Sequence, residues 1–107
     1  MVPFAAGGSS DALGRLVANG LTEIFKQSFV IENRGGAGGV LGSQIVSKST
    51  PDGYTLVMGT IGTHAINATL FPKLPYDPIR DFAAVAFVVD ADGLLVAHTS
   101  VEANTVT

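Results

Sequence analysis

The sequence predicts an α/β domain on a mostly parallel sheet, and three observations predict it. Strand-like and helix-like segments alternate as strand, helix, strand, helix, strand, the order whose default packing is a parallel sheet with helices laid on it. The 107 residues are 47% apolar and 14% charged, which is a globular composition and the length of one domain. Of 13 glycines, 12 fall within the first 62 residues, paired at 7–8, 35–36 and 38–39 and close together at 59 and 62. Periodic apolar segments separate these clusters, so they read as strand-to-helix turns rather than as a linker.

Residues 2–4 read as the tail of a first strand. Ala5, Ala6, Gly7, Gly8, Ser9, Ser10 and Asp11 then form a turn that ends in helix-capping residue types. Leu13, Leu16, Val17, Leu21, Ile24 and Phe25 follow at helical spacing, with Arg15, Asn19, Thr22, Glu23 and Lys26 on the other face. A short strand is expected at 29–32, a glycine-rich loop at 33–39, and a second helix over 39–48 with Leu41 and Ile45 one turn apart. Pro51, Asp52 and Gly53 are turn chemistry that stops it. A third strand is expected at 54–58, a polar turn at 60–64 and a short helix at 65–70. Pro72, Pro75 and Pro78 predict a rigid, extended stretch over 71–78. Residues 83–89 lack alternation and so predict a strand buried on both faces, with a turn at 90–93 and a fifth strand at 94–98. The last residues, 102–107, carry no signal of their own.

Composition excludes several function classes. Six basic against nine acidic residues leave a net charge of −3, which offers no electrostatic footprint for nucleic acid. Without cysteine there is no disulfide, thiolate zinc site or cysteine nucleophile, and two histidines cannot make a three-histidine metal site. No metal or cofactor is expected. The longest apolar run, 82–89, falls far short of the roughly 20 residues a membrane span needs. The first base is Arg15, so the chain has no cationic lead-in of a signal peptide.

In a parallel α/β sheet, ligands sit at the carboxyl ends of the strands, where the turns after the first three strands would lie together. The first turn places Gly7, Gly8, Ser9 and Ser10 at a helix N-terminus, whose unpaired amides and hydroxyls suit a carboxylate or phosphate oxygen. Asp11, an anion, either caps that helix or meets a ligand's ammonium. Arg34, Gly35, Gly36, Ala37, Gly38, Gly39 and Gly42 invite a dinucleotide reading, but the sixth position counted from Gly36 is Leu41. No acidic residue ends the next strand, and no Gly-Lys-Ser/Thr is present. A phosphate- or nucleotide-binding enzyme domain on Gly36 to Gly42 therefore stands only as the alternative, beside an amide nest for a small anion. In the third turn, Thr60, Gly62 and Thr63 supply further donors. His64 is either a base or a structural or surface histidine, with no serine, cysteine or acid tied to it by spacing, and His98 falls in an apolar strand. The chain carries little case for catalysis.

Five ordered segments resemble one family: 3–11, 32–39, 51–56, 60–67 and 74–82, read as PFAAGGSSD, ENRGGAGG, PDGYTL, TIGTHAIN and LPYDPIRDF. Together they stand in the order and register of the Bug family, the periplasmic solute-binding receptors of tripartite tricarboxylate transporters. The resemblance implies a two-lobed, type II Venus-flytrap receptor for small carboxylated solutes, non-enzymatic and without cofactor, that delivers its solute to membrane permease subunits. It implies that residues 1–107 are a single α/β lobe, the N-terminal one, without signal peptide or distal lobe, and that the chain alone binds weakly. Exposed apolar surface and a free sheet edge would then favour self-association. The family's carboxylate loops correspond to Phe4, Ala6, Gly7, Gly8, Ser9, Ser10 and Asp11, and to Thr60, Gly62, Thr63 and His64. Ser9 and Ser10 depart from relatives that often have proline there, which bears on the identity of the solute and not on the carboxylate class.

Overall fold

In the computed structural model the described residues are 1–91, 96, 98 and 100–102. Helix α1 spans Ser9–Phe25, a 3-10 turn at Ala37–Gly39 leads into α2 at Val40–Ser47, and a π-helical turn at Gly62–Ile66 runs into α3 at Asn67–Leu70. The expected helices are all present. The third starts inside the stretch read as a polar turn.

The expected strands are not, among the described residues, developed into a sheet. What forms is the beginning of a parallel pairing. Val2 bridges Asn33 in parallel, with its N–H on the Glu32 carbonyl at 2.8 Å and its carbonyl accepting the Arg34 N–H at 2.9 Å. On its other side the Met1 amine donates to the Leu56 carbonyl at 2.8 Å, and the Met58 N–H donates back to the Met1 carbonyl at 3.0 Å. Segments 32–34, 1–2 and 56–58 therefore lie side by side in that order. Residues 83–89, expected as a buried strand, are exposed, with Val85 and Phe87 among the barest apolar side chains. Strand propensity alone does not make a strand, because the backbone groups need a ladder partner and this run finds none among the described residues. Half of the expected turn at 90–93 and most of the fifth strand at 94–98 lie outside the described residues; His98 is described, exposed and bonded through Nδ1 to Ser100.

Helix packing uses small residues rather than the large apolar ones that mark the helices in the sequence. On α1 the buried positions are Asp11, Gly14 and Ala18, one stripe at helical spacing, while Leu16, Ile24 and Phe25 stay exposed. A Cβ on Gly14 would stand 2.8 Å from Val2 Cγ2, so helix and first segment touch backbone to side chain. On α2 the buried residues are Gly42 and Ser43, not Leu41 and Ile45. Gly42 lies against Pro3, the residue after Val2, and successive residues of an extended segment face opposite sides. The two helices thus approach the first segment from opposite faces.

Residues 71–82 also differ from expectation. The prolines do not hold an extended rod; the chain turns at 72–73 and again at 77–81. Asp77 builds the second turn, its Oδ1 accepting the Ile79 and Arg80 N–H groups, both at 2.9 Å, with proline at the following position. Asp followed by Pro is the favoured start of such a turn.

Candidate functional site

The first turn is shaped by Asp11. Gly8 is the N-cap of α1 and carries no side-chain cap; the carboxylate of Asp11, three residues on, instead reaches back past it to Gly7. Its Oδ2 accepts the Gly7 N–H at 2.8 Å and Arg15 Nε at 3.1 Å, and its Oδ1 accepts Asn33 Nδ2 at 3.0 Å. These donors, the Gly7 amide foremost and then Arg15 and Asn33, hold the Asp11 carboxyl down to about 2. With both oxygens engaged, Asp11 sits 4% exposed and builds the turn from behind.

In front, Phe4, Ala5, Ala6, Gly8, Ser9 and Ser10 line an open depression of about 400 Å³. Gly7, at φ +87°, spends its amide on Asp11. The amides of Gly8, Ser9 and Ser10 have no protein partner among the described residues. They stand at the positive end of a 17-residue helix, where unpaired N–H groups and the helix dipole favour an anion. Arg15, the one guanidinium on α1, is committed to Asp11 and to Asn33 Oδ1.

The third turn is organised differently. The Thr60 N–H donates to Thr63 Oγ1 at 2.9 Å and the Thr63 N–H returns to Thr60 Oγ1 at 3.3 Å, a reciprocal cap on the helical stretch that follows. Thr63 is fully buried, and its hydroxyl lies 2.8 Å from His64 Nδ1. Its carbonyl accepts the buried Tyr76 hydroxyl at 2.7 Å. The His64 ring meets Phe82 edge-on at 4.8 Å, and Tyr76 meets Phe82 at 5.7 Å. Burial pushes the His64 pKa below its usual value, so the imidazole is neutral at pH 7. The threonine hydroxyls, read from sequence as solute donors, are here turned on each other and on His64, while Gly62 lies half-buried beside Thr60.

The glycine loop joins the two turns. Gly39 is left-handed at φ +86°, and a Cβ there would stand 2.5 Å from Thr63 Cγ2 and 3.2 Å from Phe4 Cζ. It is the thin point through which the first and third turns touch. Asn67 Nδ2 ties the loop down on the Gly38 carbonyl at 3.0 Å. The Gly39 and Leu41 amides both turn in on the Gly36 carbonyl. The loop is filled by the chain's own groups, and nothing supports the nucleotide alternative once placed on Gly36 to Gly42. Sequence reasoning missed Asn33, Asn67, Tyr76 and Phe82 as parts of this assembly. All four stood inside quoted motifs, and only their contacts reveal what they do.

Residues 13–107 match the family model described as the tripartite tricarboxylate transporter family receptor. The chain belongs to this family. It is 44% identical over 105 residues to a UPF0065 protein from the TAR-I ttuE–ttuC′ intergenic region of Agrobacterium vitis, covering 98% of this chain and 30% of that protein. Against BugT of Bordetella pertussis it is 38% identical over 99 residues, 92% of this chain and 30% of that one. Among solved structures it resembles MatC of Rhodopseudomonas palustris with bound malate, at TM-score 0.77 and 44% identity, over 81% of this chain and 30% of MatC. A structure of a periplasmic transporter matches at TM-score 0.72 and 48% identity, over 74% of this chain and 27% of that one. The chain therefore shares its fold with part of these proteins and spans about 30% of the length of the curated relatives it matches.

Proposed function

We propose that this chain supplies the carboxylate-holding turn of a periplasmic receptor that hands small carboxylated solutes to the permease subunits of a tripartite tricarboxylate transporter. The solute class is an amino acid, a di- or tricarboxylate, or an aromatic carboxylate. In this reading residues 1–107 form one α/β lobe of a two-lobed receptor, on a mostly parallel sheet whose pairing begins at segments 32–34, 1–2 and 56–58. Family membership and the malate held by MatC support the class of solute.

The observation that carries the reading is local. Three consecutive amides, those of Gly8, Ser9 and Ser10, have no protein partner among the described residues, and these residues line the depression together with Phe4 and Ala6. Amides at a helix end bind a carboxylate without a formal positive charge, which matches a protein that must also release its cargo. Gly7 and Asp11 shape the turn, and Thr60, Gly62, Thr63 and His64 brace it through Gly39. The site is read as binding and not transforming: the hydroxyl beside His64 is that of Thr63, fully buried and engaged with Thr60.

An open depression encloses little of a ligand, so binding by this chain is weak. The test is the thermal midpoint in rising malate, succinate and acetate, with phosphate and NAD at matched ionic strength as comparison. Carboxylates raise the midpoint with concentration, as any ligand of the folded state must. A rise with NAD or phosphate and none with carboxylates contradicts the reading.

A further inference from the structure

Asn33 occupies an unusual place for a polar side chain. It lies opposite Val2 in the parallel bridge, and its amide is used on both sides. Nδ2 donates to the Phe4 carbonyl at 3.2 Å and to Asp11 Oδ1 at 3.0 Å, while Oδ1 accepts Arg15 Nη2 at 3.3 Å. One side chain thus ties the entry of the first turn to the third residue of α1 and to Arg15.

We propose that Asn33 is the positioning residue of the carboxylate turn, fixing through Asp11 which amides face the solute. The proposal rests on the reading that this turn binds carboxylate. Asn33 holds Asp11, Asp11 engages the Gly7 amide, and the next three amides are left without a protein partner among the described residues, in residues that line the depression. Only a primary amide fits, because the position must donate to a carbonyl and a carboxylate and accept from a guanidinium. The charged groups at this junction are Asp11 and Arg15 from α1, while Arg34 from the neighbouring backbone is engaged with Glu32 at 2.6 Å.

Asn33→Asp tests this in the 107-residue chain by amide-resolved NMR. The change keeps the shape but sets a second carboxylate beside Asp11 with no proton to donate. At pH 7 the Gly7 amide loses its hydrogen-bonded, downfield position, and malate affinity at Gly8 to Ser10 falls about tenfold, the size of one lost charge-assisted hydrogen bond. Two adjacent carboxylates retain one proton more readily than either would alone, so acidifying to about pH 5 restores the donor and both signals. The wild-type Gly7 position holds over that range, and because malate itself takes up a proton at about pH 5, the variant's affinity is read against wild type at the same pH. Recovery on protonation is a readout that simple loss of packing does not give. Retention of the Gly7 position and of the malate response at pH 7, or a loss that persists at pH 5 in a well-dispersed spectrum, overturns the proposal. If wild type shows no malate response while Gly7 still moves in the variant and returns with acid, the hold of Asn33 on the turn stands and the carboxylate reading falls. Should the variant fail to fold, the unmodified chain decides: slow exchange of the Asn33 Nδ2 protons supports the hold, and free exchange overturns it.

Discussion

Asp11 gives the residue scale its clearest consequence. Its folded-state carboxyl lies near 2 against an ordinary 3.8, because the Gly7 amide, Arg15 and Asn33 all favour the charged form. As pH falls, the unfolded chain takes up the proton first. The stability Asp11 contributes is therefore whole above about pH 4 and is lost as pH falls from there towards 2. Denaturant midpoints measured across that window fall in the wild-type chain and fall less in Asp11→Asn, which has no charge to neutralise. Gly39 gives a second consequence. A side chain there meets both a left-handed backbone and Thr63 Cγ2 at 2.5 Å, so Gly39→Ala destabilises by about 1–3 kcal/mol in a urea titration. Neither residue's role is written in composition. Asp11 was legible as a capping type, but its reach back to Gly7 and across to Asn33 depends on a second segment lying alongside.

At the scale of elements, the link between the third turn and residues 71–82 is testable through Tyr76. Its hydroxyl is buried on the Thr63 carbonyl, and its ring packs edge-on to Phe82. Tyr76→Phe keeps the ring and deletes the bond, leaving a buried carbonyl short of a donor at a cost of about 1–2 kcal/mol. Urea midpoints of wild type and Tyr76→Phe read that cost, and an unchanged far-ultraviolet circular dichroism spectrum shows that the helices keep their form. Helix periodicity placed α2 within a residue of its observed bounds, whereas α1 begins at Ser9, inside the stretch read as a turn through Asp11. It misjudged which faces are covered: Gly14, Ala18 and Gly42 make the close contacts, and Leu16, Leu41 and Ile45 do not. Hydrophobic spacing reports what a helix can bury, whereas close approach is set by the smallest residues on it. The π-helical turn at Gly62–Ile66 had no periodic signal at all, because it is held by the Thr60–Thr63 exchange and by Tyr76.

The whole molecule is long for its size, with a radius of gyration of 16.4 Å where a compact chain of this length has about 13 Å. The excess fits residues 83–91, which run exposed and without a ladder partner among the described residues. Strand-like sequence was legible there, but a strand is a property of a pair, and the partner cannot be read from the run itself. The family was legible because five separate segments kept their order, and the first turn was legible because glycines and hydroxyls precede a strong helix. The third turn's brace and the Asn33 tie were not, since both are contacts between distant residues. The most direct measurement is an amide-resolved titration of the chain with malate, with phosphate as control. The account predicts progressive malate-dependent shifts centred on Gly8, Ser9 and Ser10. Shifts confined to Gly36 to Gly42, or a well-dispersed spectrum silent at the first turn at saturating malate, would contradict it.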